Sequence, residues 1–116
     1  AIFEYTKTGL RKRVFSAIQK PDKSEQERSE IRYKYDSLNR PLEVAINNAG
    51  LIRYYYDKKN QMLLTKLFPS GNKSVYSYDE QFRLKSIQNY DPKDNPLGGI
   101  QYDWDVDGIL KGKKVW

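Results

Sequence analysis

Three aspartates near the carboxyl end of the chain have the spacing of a calcium-binding loop. Asp103, Asp105 and Asp107 precede Gly108 and spell D-x-D-x-D-G, a pattern whose alternate carboxylates coordinate calcium through oxygen. The last ligand of such a loop is a glutamate that supplies two oxygens, but Lys114 stands at that position. The missing glutamate disfavours a metal site, so we expect no cofactor and keep calcium binding as an alternative.

The same stretch contains a second pattern, an aromatic pair followed by an aspartate, which recurs along the chain. Five segments align on it, and segment 3–10 is the degenerate copy because Thr6 replaces the aspartate. The second aromatic residue recurs with a period of about 21 residues, which indicates tandem structural repeats. The four complete copies contain Tyr33, Tyr35 and Asp36; Tyr54, Tyr56 and Asp57; Tyr76, Tyr78 and Asp79; and Tyr102, Trp104 and Asp105.

Each repeat predicts one β-hairpin. Two rings that lie two residues apart point to the same face of a strand, and the aspartate that follows can accept backbone hydrogen bonds and end the strand. Three residues after the aspartate come Asn39, Asn60 or Gly108, which adopt the left-handed conformation at low cost. This spacing predicts a type I turn closed by a left-handed residue. Phe82 occupies that position in the fourth repeat, so we expect a different turn there.

A return strand and a second turn complete each predicted unit. Apolar residues that alternate with polar ones predict return strands over 41–46, 63–68 and 83–88. Breaker residues predict the second turns over 47–50, 69–72 and 95–99. Turn-like insertions near 21–30 and 91–99 lengthen two of the repeats. Residues 9–18 also fit one face of a helix, but the repeat favours a hairpin there.

Together these patterns predict an all-β fold. Tandem antiparallel β-hairpin repeats of about 21 residues would form an extended curved sheet, and residues 1–116 would be a single array. An array with open strand edges invites pairing with further strands. We therefore expect the chain to be a fragment of a larger protein.

The residues that the chain lacks exclude most catalytic chemistry. It has no cysteine and no histidine, so thiolate nucleophiles and the commonest general base are absent, and we expect no enzymatic activity. The formal net charge is +6, but basic residues are spread among acidic ones, which favours a solvated surface over a nucleic-acid interface. The sequence has no run of about 18 apolar residues that would predict a membrane span.

The repeated unit Y-x-Y-D-x-x-N/G-R-L resembles the YD repeat, also called the RHS repeat. The clearest matches are "YKYDSLNRPLEV" and "YYYDKKNQMLL", and the resemblance extends from Phe3 to Leu110. Proteins of this family are large and secreted or surface-exposed; they include bacterial RHS and insecticidal toxin-complex components and the animal teneurins. Their repeats coil into a long antiparallel sheet that closes as a hollow shell, which in bacteria encloses a toxic segment. The resemblance implies a secreted or cell-surface location, and no protease residue carries over.

The resemblance also implies a structural function. The chain would build part of a shell or scaffold for enclosure or display, and its edges would pair with neighbouring YD repeats or other chains around an enclosed polypeptide cargo. The alternative is a recognition module that binds a surface glycan or an anionic polymer through exposed aromatic and basic residues. Tyr55 and Trp116 are its candidate recognition surface, because they lie outside the repeated aromatic pairs.

Overall fold

A computed structural model of the chain describes residues 2–19, 26–47 and 49–116. None of these residues belongs to a helix of the length and apolarity required to cross a membrane. The strands are β1 (Ile2–Tyr5), β2 (Arg11–Gln19), β3 (Gln26–Tyr35), β4 (Pro41–Ile46), β5 (Leu51–Tyr56), β6 (Leu63–Leu67), β7 (Lys73–Tyr78), β8 (Leu84–Tyr90), β9 (Pro96–Trp104) and β10 (Leu110–Val115). The predicted all-β class is confirmed.

The strands divide between two compact units, Ala1–Arg53 and Tyr54–Trp116. In the first unit β1 pairs with β2, β2 with β3, β3 with β4, and β4 with the first half of β5. In the second unit β6 pairs with β7, β7 with β8, β8 with β9, and β9 with β10. These pairings are antiparallel and join neighbours in the sequence, which confirms the predicted tandem hairpins. Whether the chain is a fragment of a larger protein stays a prediction.

Alternation along the strands gives the first unit two different faces. Cross-strand pairing places apolar and aromatic residues on one face, which carries Val14, Ile31, Tyr33, Val44 and Ile52. The opposite face, here called the charged face, carries Glu4, Arg13, Arg32, Lys34, Glu43 and Arg53. The sequence pattern of apolar and polar residues therefore sorts them onto opposite sides, as a two-residue period requires.

The described part of the chain contains no fully buried apolar side chain. The paired aromatic residues are half-buried, because they cover one another and their neighbours rather than filling a closed interior. The rings of Tyr33 and Tyr35 stack with centroids 6.4 Å apart and planes at 13°. Those of Tyr102 and Trp104 lie 6.4 Å apart with planes at 31°. Strand pairing and ring contacts thus stabilise the sheet in place of a fully buried apolar core.

Several predicted boundaries are confirmed and two are wrong. β2 is a strand from Arg11, which confirms the hairpin over the helix for residues 9–18. β4 matches the predicted return strand, and β6 and β8 differ from theirs by one or two residues. The insertion near 21–30 is not wholly a turn, since β3 begins at Gln26. The remainder of that insertion lies outside the described residues.

The predicted turn over 95–99 is also wrong, because Gly98 and Gly99 lie inside β9. A Cβ on Gly99 would overlap the carbonyl oxygen of Ile87, and a Cβ on Gly98 would overlap that of Trp116. The amide of Trp116 donates to the Gly99 carbonyl at 3.1 Å, and the Gly99 amide donates back at 3.1 Å. These glycines therefore permit close approach of neighbouring backbones instead of forming a turn.

Candidate functional site

The aspartates of the repeated motif lie in the turns, and the Asp36 turn illustrates their geometry. The Asp36 amide donates to the Arg40 carbonyl at 2.9 Å, and the Asn39 amide donates to the Asp36 carbonyl at 3.0 Å. Asn39 is left-handed, with φ of 62°. The Asp36 Oδ1 accepts from the amides of Leu38 at 2.9 Å and Arg40 at 3.0 Å. The predicted turn, closed by a left-handed residue, is confirmed here.

The same type of turn also forms in two repeats where a key residue is replaced, by Thr6 at the aspartate position and by Phe82 at the left-handed position. In the degenerate repeat the Thr6 Oγ1 replaces the carboxylate and accepts from the Leu10 amide at 3.1 Å, while Gly9 has φ of 87°. Phe82 is left-handed with φ of 62°, and its amide donates to the Asp79 carbonyl at 3.0 Å. The expectation of a different turn at Phe82 is wrong. The hydrogen bonds of the turn outweigh the steric cost of the bulky residue.

The Asp57 turn is longer than predicted. Its closing bond runs from the Asp57 amide to the Met62 carbonyl at 2.8 Å, and Gln61 is the left-handed residue with φ of 64°. The assignment of Asn60 to the left-handed position is therefore wrong. Asn60 instead accepts a hydrogen bond from the Met62 amide on its Oδ1 at 3.0 Å. One additional residue before the return strand moves the left-handed position along by one.

The predicted turn-like insertion near 91–99 contains a turn at Asp91 whose aspartate-based form sequence reasoning missed. The Asp91 amide donates to the Asn95 carbonyl at 2.9 Å, and Asp94 is left-handed with φ of 65°. The Asp91 Oδ2 accepts from the Asn95 Nδ2 at 3.0 Å. The signal was present in D-P-K-D-N, which has the aspartate, a proline at the next position and a tolerant residue three positions on. It was missed because no aromatic pair precedes it.

Two arginines reinforce the turns that precede them, a role that sequence reasoning also missed. The Arg40 Nε donates to the Asp36 Oδ2 at 2.8 Å, and the Arg83 Nε donates to the Asp79 Oδ2 at 2.7 Å. Each aspartate thus uses one oxygen for backbone amides and the other for a guanidinium. The signal was the arginine in the repeated N/G-R-L element of the motif.

Hydrogen bonding in the turns lowers the pKa of several carboxyl groups. For Asp36 the main cause is the backbone amide of Arg40, which favours the ionised form. At Asp79 desolvation acts to raise the pKa, but hydrogen bonds from Arg83 and its neighbours outweigh it and the pKa is lowered. The pKa is lowered in Asp36, Asp57, Asp79 and Asp91. These groups are anionic acceptors that hold the backbone.

The aromatic pairs lie where successive hairpins diverge. Pairing between β2 and β3 ends at Arg13 and Arg32, and β3 continues past that pair. The pairing of β6 with β7 and of β8 with β9 ends in the same way. We call these three places junctions. The segments that continue past the last pair are residues 33–35, 76–78 and 102–104.

Both junctions of the second unit are closed by an aromatic side chain. The Tyr78 Oη donates to the Leu63 carbonyl at 2.7 Å, and the Trp104 Nε1 donates to the Leu84 carbonyl at 2.8 Å. Each acceptor belongs to the first residue of the preceding return strand. Burial raises the pKa of Tyr78, so its hydroxyl remains a donor at neutral pH. The second aromatic of the pair thus bonds a carbonyl beyond the end of the strand pairing.

Arg83 further links two successive turns of the second unit. Its Nη1 donates to the Asp105 carbonyl at 2.8 Å, although the two residues are 22 positions apart. Its guanidinium lies 5.7 Å from the centre of the Trp104 ring, a cation–π distance. One side chain therefore holds its own turn through Asp79 and contacts both the next turn and the ring that closes the junction.

The β2/β3 junction of the first unit is open. Tyr35 occupies the place of Tyr78, but among the described residues its hydroxyl has no hydrogen bond. Two clefts of about 580 and 330 Å³ meet at this junction and share Lys12, Tyr33 and Lys34. The larger cleft is also lined by Glu4, Arg13, Arg32, Glu43, Ala45 and Leu51. The smaller cleft is also lined by Thr6, Thr8, Leu10, Tyr35, Asp36 and Asn39.

Among the aspartates of the calcium alternative, Asp103, Asp105 and Asp107, the carboxylate of Asp105 takes another role. The Asp105 Oδ1 accepts from the amides of Asp107 and Ile109, both at 2.9 Å. Gly108 is left-handed with φ of 81°, as the hairpin interpretation predicts. Across the ranges that the structure covers, no three carboxylates are grouped to hold a metal ion. Asp105 therefore serves as the acceptor of its turn.

Both residues of the candidate recognition surface are exposed to solvent. Tyr55 is 47% exposed and Trp116 is 50% exposed. Tyr55 is more exposed than Tyr54 and Tyr56, as its alternate position on the strand predicts. Their role in recognition stays a prediction.

Solved structures similar to this chain include toxin proteins. A crystal structure of TcdB2-TccC3 matches with 15% identity and a TM-score of 0.46, over 96% of this chain and 7% of that chain. The Photorhabdus luminescens Tc holotoxin pore matches with 14% identity and a TM-score of 0.44, over 93% of this chain and 7% of that chain. No family model and no curated protein matches the chain. The hairpin per repeat that the YD resemblance implies is the arrangement observed.

Proposed function

We propose that the chain is a non-catalytic structural segment of a secreted or cell-surface protein, in which its hairpins build part of a shell or scaffold. The observation that carries this proposal is the use of the polar repeat residues. Asp36, Asp79 and Asp105 bind backbone amides, and Tyr78 and Trp104 bind backbone carbonyls. Side chains whose polar atoms are hydrogen-bonded to the backbone in this way have a structural role.

We further propose that neighbouring repeats or other chains are its partners. β1 pairs with β2 and β10 with β9, so each of these strands presents a second edge that can accept another strand. The resemblance of the repeats to those of bacterial RHS and toxin-complex proteins supports a toxin-associated shell as the setting. The enclosed material would be a polypeptide, which no residue described here identifies.

Blocking the β10 edge tests the proposal. Because the Trp116 amide donates to Gly99, alternation directs the Val115 amide away from β9. Val115→Pro would remove that outward donor and leave the pairing with β9 intact, whereas Val115→Thr keeps the donor as a matched control. Light scattering should show concentration-dependent association of the native chain and the Val115→Thr variant. We expect Val115→Pro to reduce it.

A native chain that stays monomeric and folded at high concentration would contradict the scaffold proposal. It would favour the alternative, a recognition module that binds glycans or anionic polymers. The observation on the side of that alternative is the exposure of Tyr55 and Trp116. Under this alternative, Tyr55→Ser would weaken binding to an immobilised polysaccharide without changing the β-sheet signal in circular dichroism.

A further inference from the structure

The geometry points to the open β2/β3 junction as a binding site for an extended acidic peptide. This inference goes beyond the scaffold proposal and does not depend on it. It rests on three features of the first unit: an excess of positive charge, unpaired strand backbone beside that charge, and an apolar floor within reach.

Positive charge is in excess around the two clefts, because each nearby carboxylate that the structure describes already has a cation. Glu4 pairs with Arg13 at 3.1 Å, and Glu43 pairs with Arg53 at 3.9 Å. The other two pairs are Glu30 with Arg32 at 3.1 Å and Asp36 with Arg40 at 2.8 Å. The cations that remain are Lys12 and Lys34.

Lys12 and Lys34 are placed to act together. Both are exposed, both line the larger and the smaller cleft, and neither forms an ion pair within the described ranges. They therefore stand where the two clefts meet. A ligand that runs from one cleft into the other would pass both ammonium groups, which favours an anionic chain over a single small ion.

The backbone at this place has capacity for further hydrogen bonds. Residues 33–35 continue past the last pair of β2 with β3, and within the part of the chain that the structure describes no hydrogen bond of the Tyr35 hydroxyl closes the gap. A peptide in extended conformation offers alternating amide and carbonyl groups that match such an edge. At the corresponding position of the second unit, Tyr78 bonds the Leu63 carbonyl and occupies the gap.

The composition of the larger cleft favours a peptide over a polysaccharide or nucleic acid. Its floor includes Ala45 and Leu51, which are half-buried and can contact apolar side chains. The rings of Tyr33 and Tyr35 are half-buried and stack on each other, which leaves less ring surface for bases than two separate exposed rings would. An extended peptide that alternates acidic and apolar residues would direct its carboxylates to the face of Lys34 and its apolar side chains to the opposite face, beside Tyr33 and Tyr35, which also line the clefts.

The test uses the full chain and a fluorescent peptide of about eight residues that alternates glutamate and leucine, which spans roughly 26 Å when extended. Binding is measured by fluorescence anisotropy at about 50 and 300 mM salt. K12Q/K34Q is the test variant. K85Q/K113Q removes two exposed lysines from the second unit and is the matched control for net charge. Amide exchange verifies that both variants keep the fold.

We expect K12Q/K34Q to weaken binding roughly tenfold or more and K85Q/K113Q less than about twofold. A peptide with glutamine in place of glutamate should not bind. Equal losses from both double variants would overturn the inference, since binding would then follow net charge alone. Absence of binding at low salt would overturn it as well. A sulfated oligosaccharide and single-stranded DNA serve as competing ligand classes: if either bound as tightly as the peptide and lost as much affinity in K12Q/K34Q, the assignment to a peptide would be overturned.

Discussion

The two units differ in how the junctions between successive hairpins are closed. In the second unit, Tyr78 and Trp104 donate to carbonyls beyond the end of the strand pairing, and Arg83 ties one turn to the next. In the first unit, Tyr35 has the same place in its repeat, but its junction is open and two lysines line it. Successive hairpins therefore stack with or without an aromatic side chain that closes the junction between them. Where closure is absent, polar groups remain accessible to another molecule.

The turns differ less than the junctions do. The Thr6 hydroxyl replaces a carboxylate, and Phe82 replaces asparagine or glycine, yet the same closing bonds form. A turn involves only five or six consecutive residues, so several side chains can stabilise it. A junction depends on one donor that reaches an acceptor 15 or 20 residues away, as in Tyr78 to Leu63 or Trp104 to Leu84. Losing that donor leaves no local replacement.

The largest effect is expected from close backbone approach in the second unit. Gly99→Ala would force a Cβ against the Ile87 carbonyl and should lower the free energy of unfolding by about 3 kcal/mol. Gly112→Ala is the control, since nothing lies within 4 Å of its added Cβ, and should cost about 0.5 kcal/mol or less. Guanidinium unfolding measures both. Equal losses would contradict the role given to Gly99.

A smaller effect tests the junctions directly. Tyr78→Phe should lower the free energy of unfolding by about 1 kcal/mol, because the Leu63 carbonyl loses its donor. Tyr35→Phe makes the same chemical change at the open junction and should cost almost nothing. Equilibrium unfolding of the two variants gives the comparison. If Tyr35→Phe were as costly as Tyr78→Phe, the β2/β3 junction would be closed in solution.

The left-handed positions should respond in opposite directions. Phe82→Gly removes a steric cost and should raise the free energy of unfolding by about 0.5 kcal/mol, after allowance for the greater freedom of glycine. Gly9→Ala should lower it by about 1 kcal/mol, since φ of 87° suits glycine. Thermal unfolding of both variants provides the measurement. A loss of stability in Phe82→Gly would show that the ring contributes contacts worth more than the strain.

Acid should weaken the turns with a lowered aspartate pKa and spare the turn built on threonine. A lowered folded-state pKa gives stabilisation that is present above the ordinary aspartate pKa and is lost as pH falls through the folded value. The chemical shift of the Arg40 amide proton should therefore report the protonation of Asp36, with a midpoint below the usual aspartate range. That of Leu10, bonded to the Thr6 hydroxyl, should not. Two-dimensional NMR follows both signals, and a shared midpoint would refute the assignment.

Local features of the fold were predictable from the sequence. The aspartate three residues before a left-handed residue gave the turns at Asp36 and Asp105, and alternation gave the return strand Pro41–Ile46. The errors were also local. Phe82 adopts a conformation whose cost of roughly 1–2 kcal/mol is offset by several hydrogen bonds of the turn. In the sequence, Gly98 and Gly99 have the composition of a turn, because the close backbone contacts that require glycine there come from other strands.

The junctions could not be predicted, because they depend on where strand pairing ends. Nothing near Tyr78 in the sequence indicates that its hydroxyl reaches Leu63, and nothing near Arg83 indicates that it reaches Asp105. The meeting of Lys12 and Lys34 in one cleft has the same origin, since β2 and β3 approach only after their pairing register is set.

The pairing of each strand with its sequence neighbours also has a consequence for how the chain reaches its structure. Contacts of short sequence separation cost little loop-closure entropy, so low contact order should make assembly fast. Each hairpin can form as soon as its own residues emerge from a ribosome or a translocation channel. It then offers its last strand as a template for the next hairpin. Such a chain can fold vectorially, one repeat at a time, without waiting for its distant end.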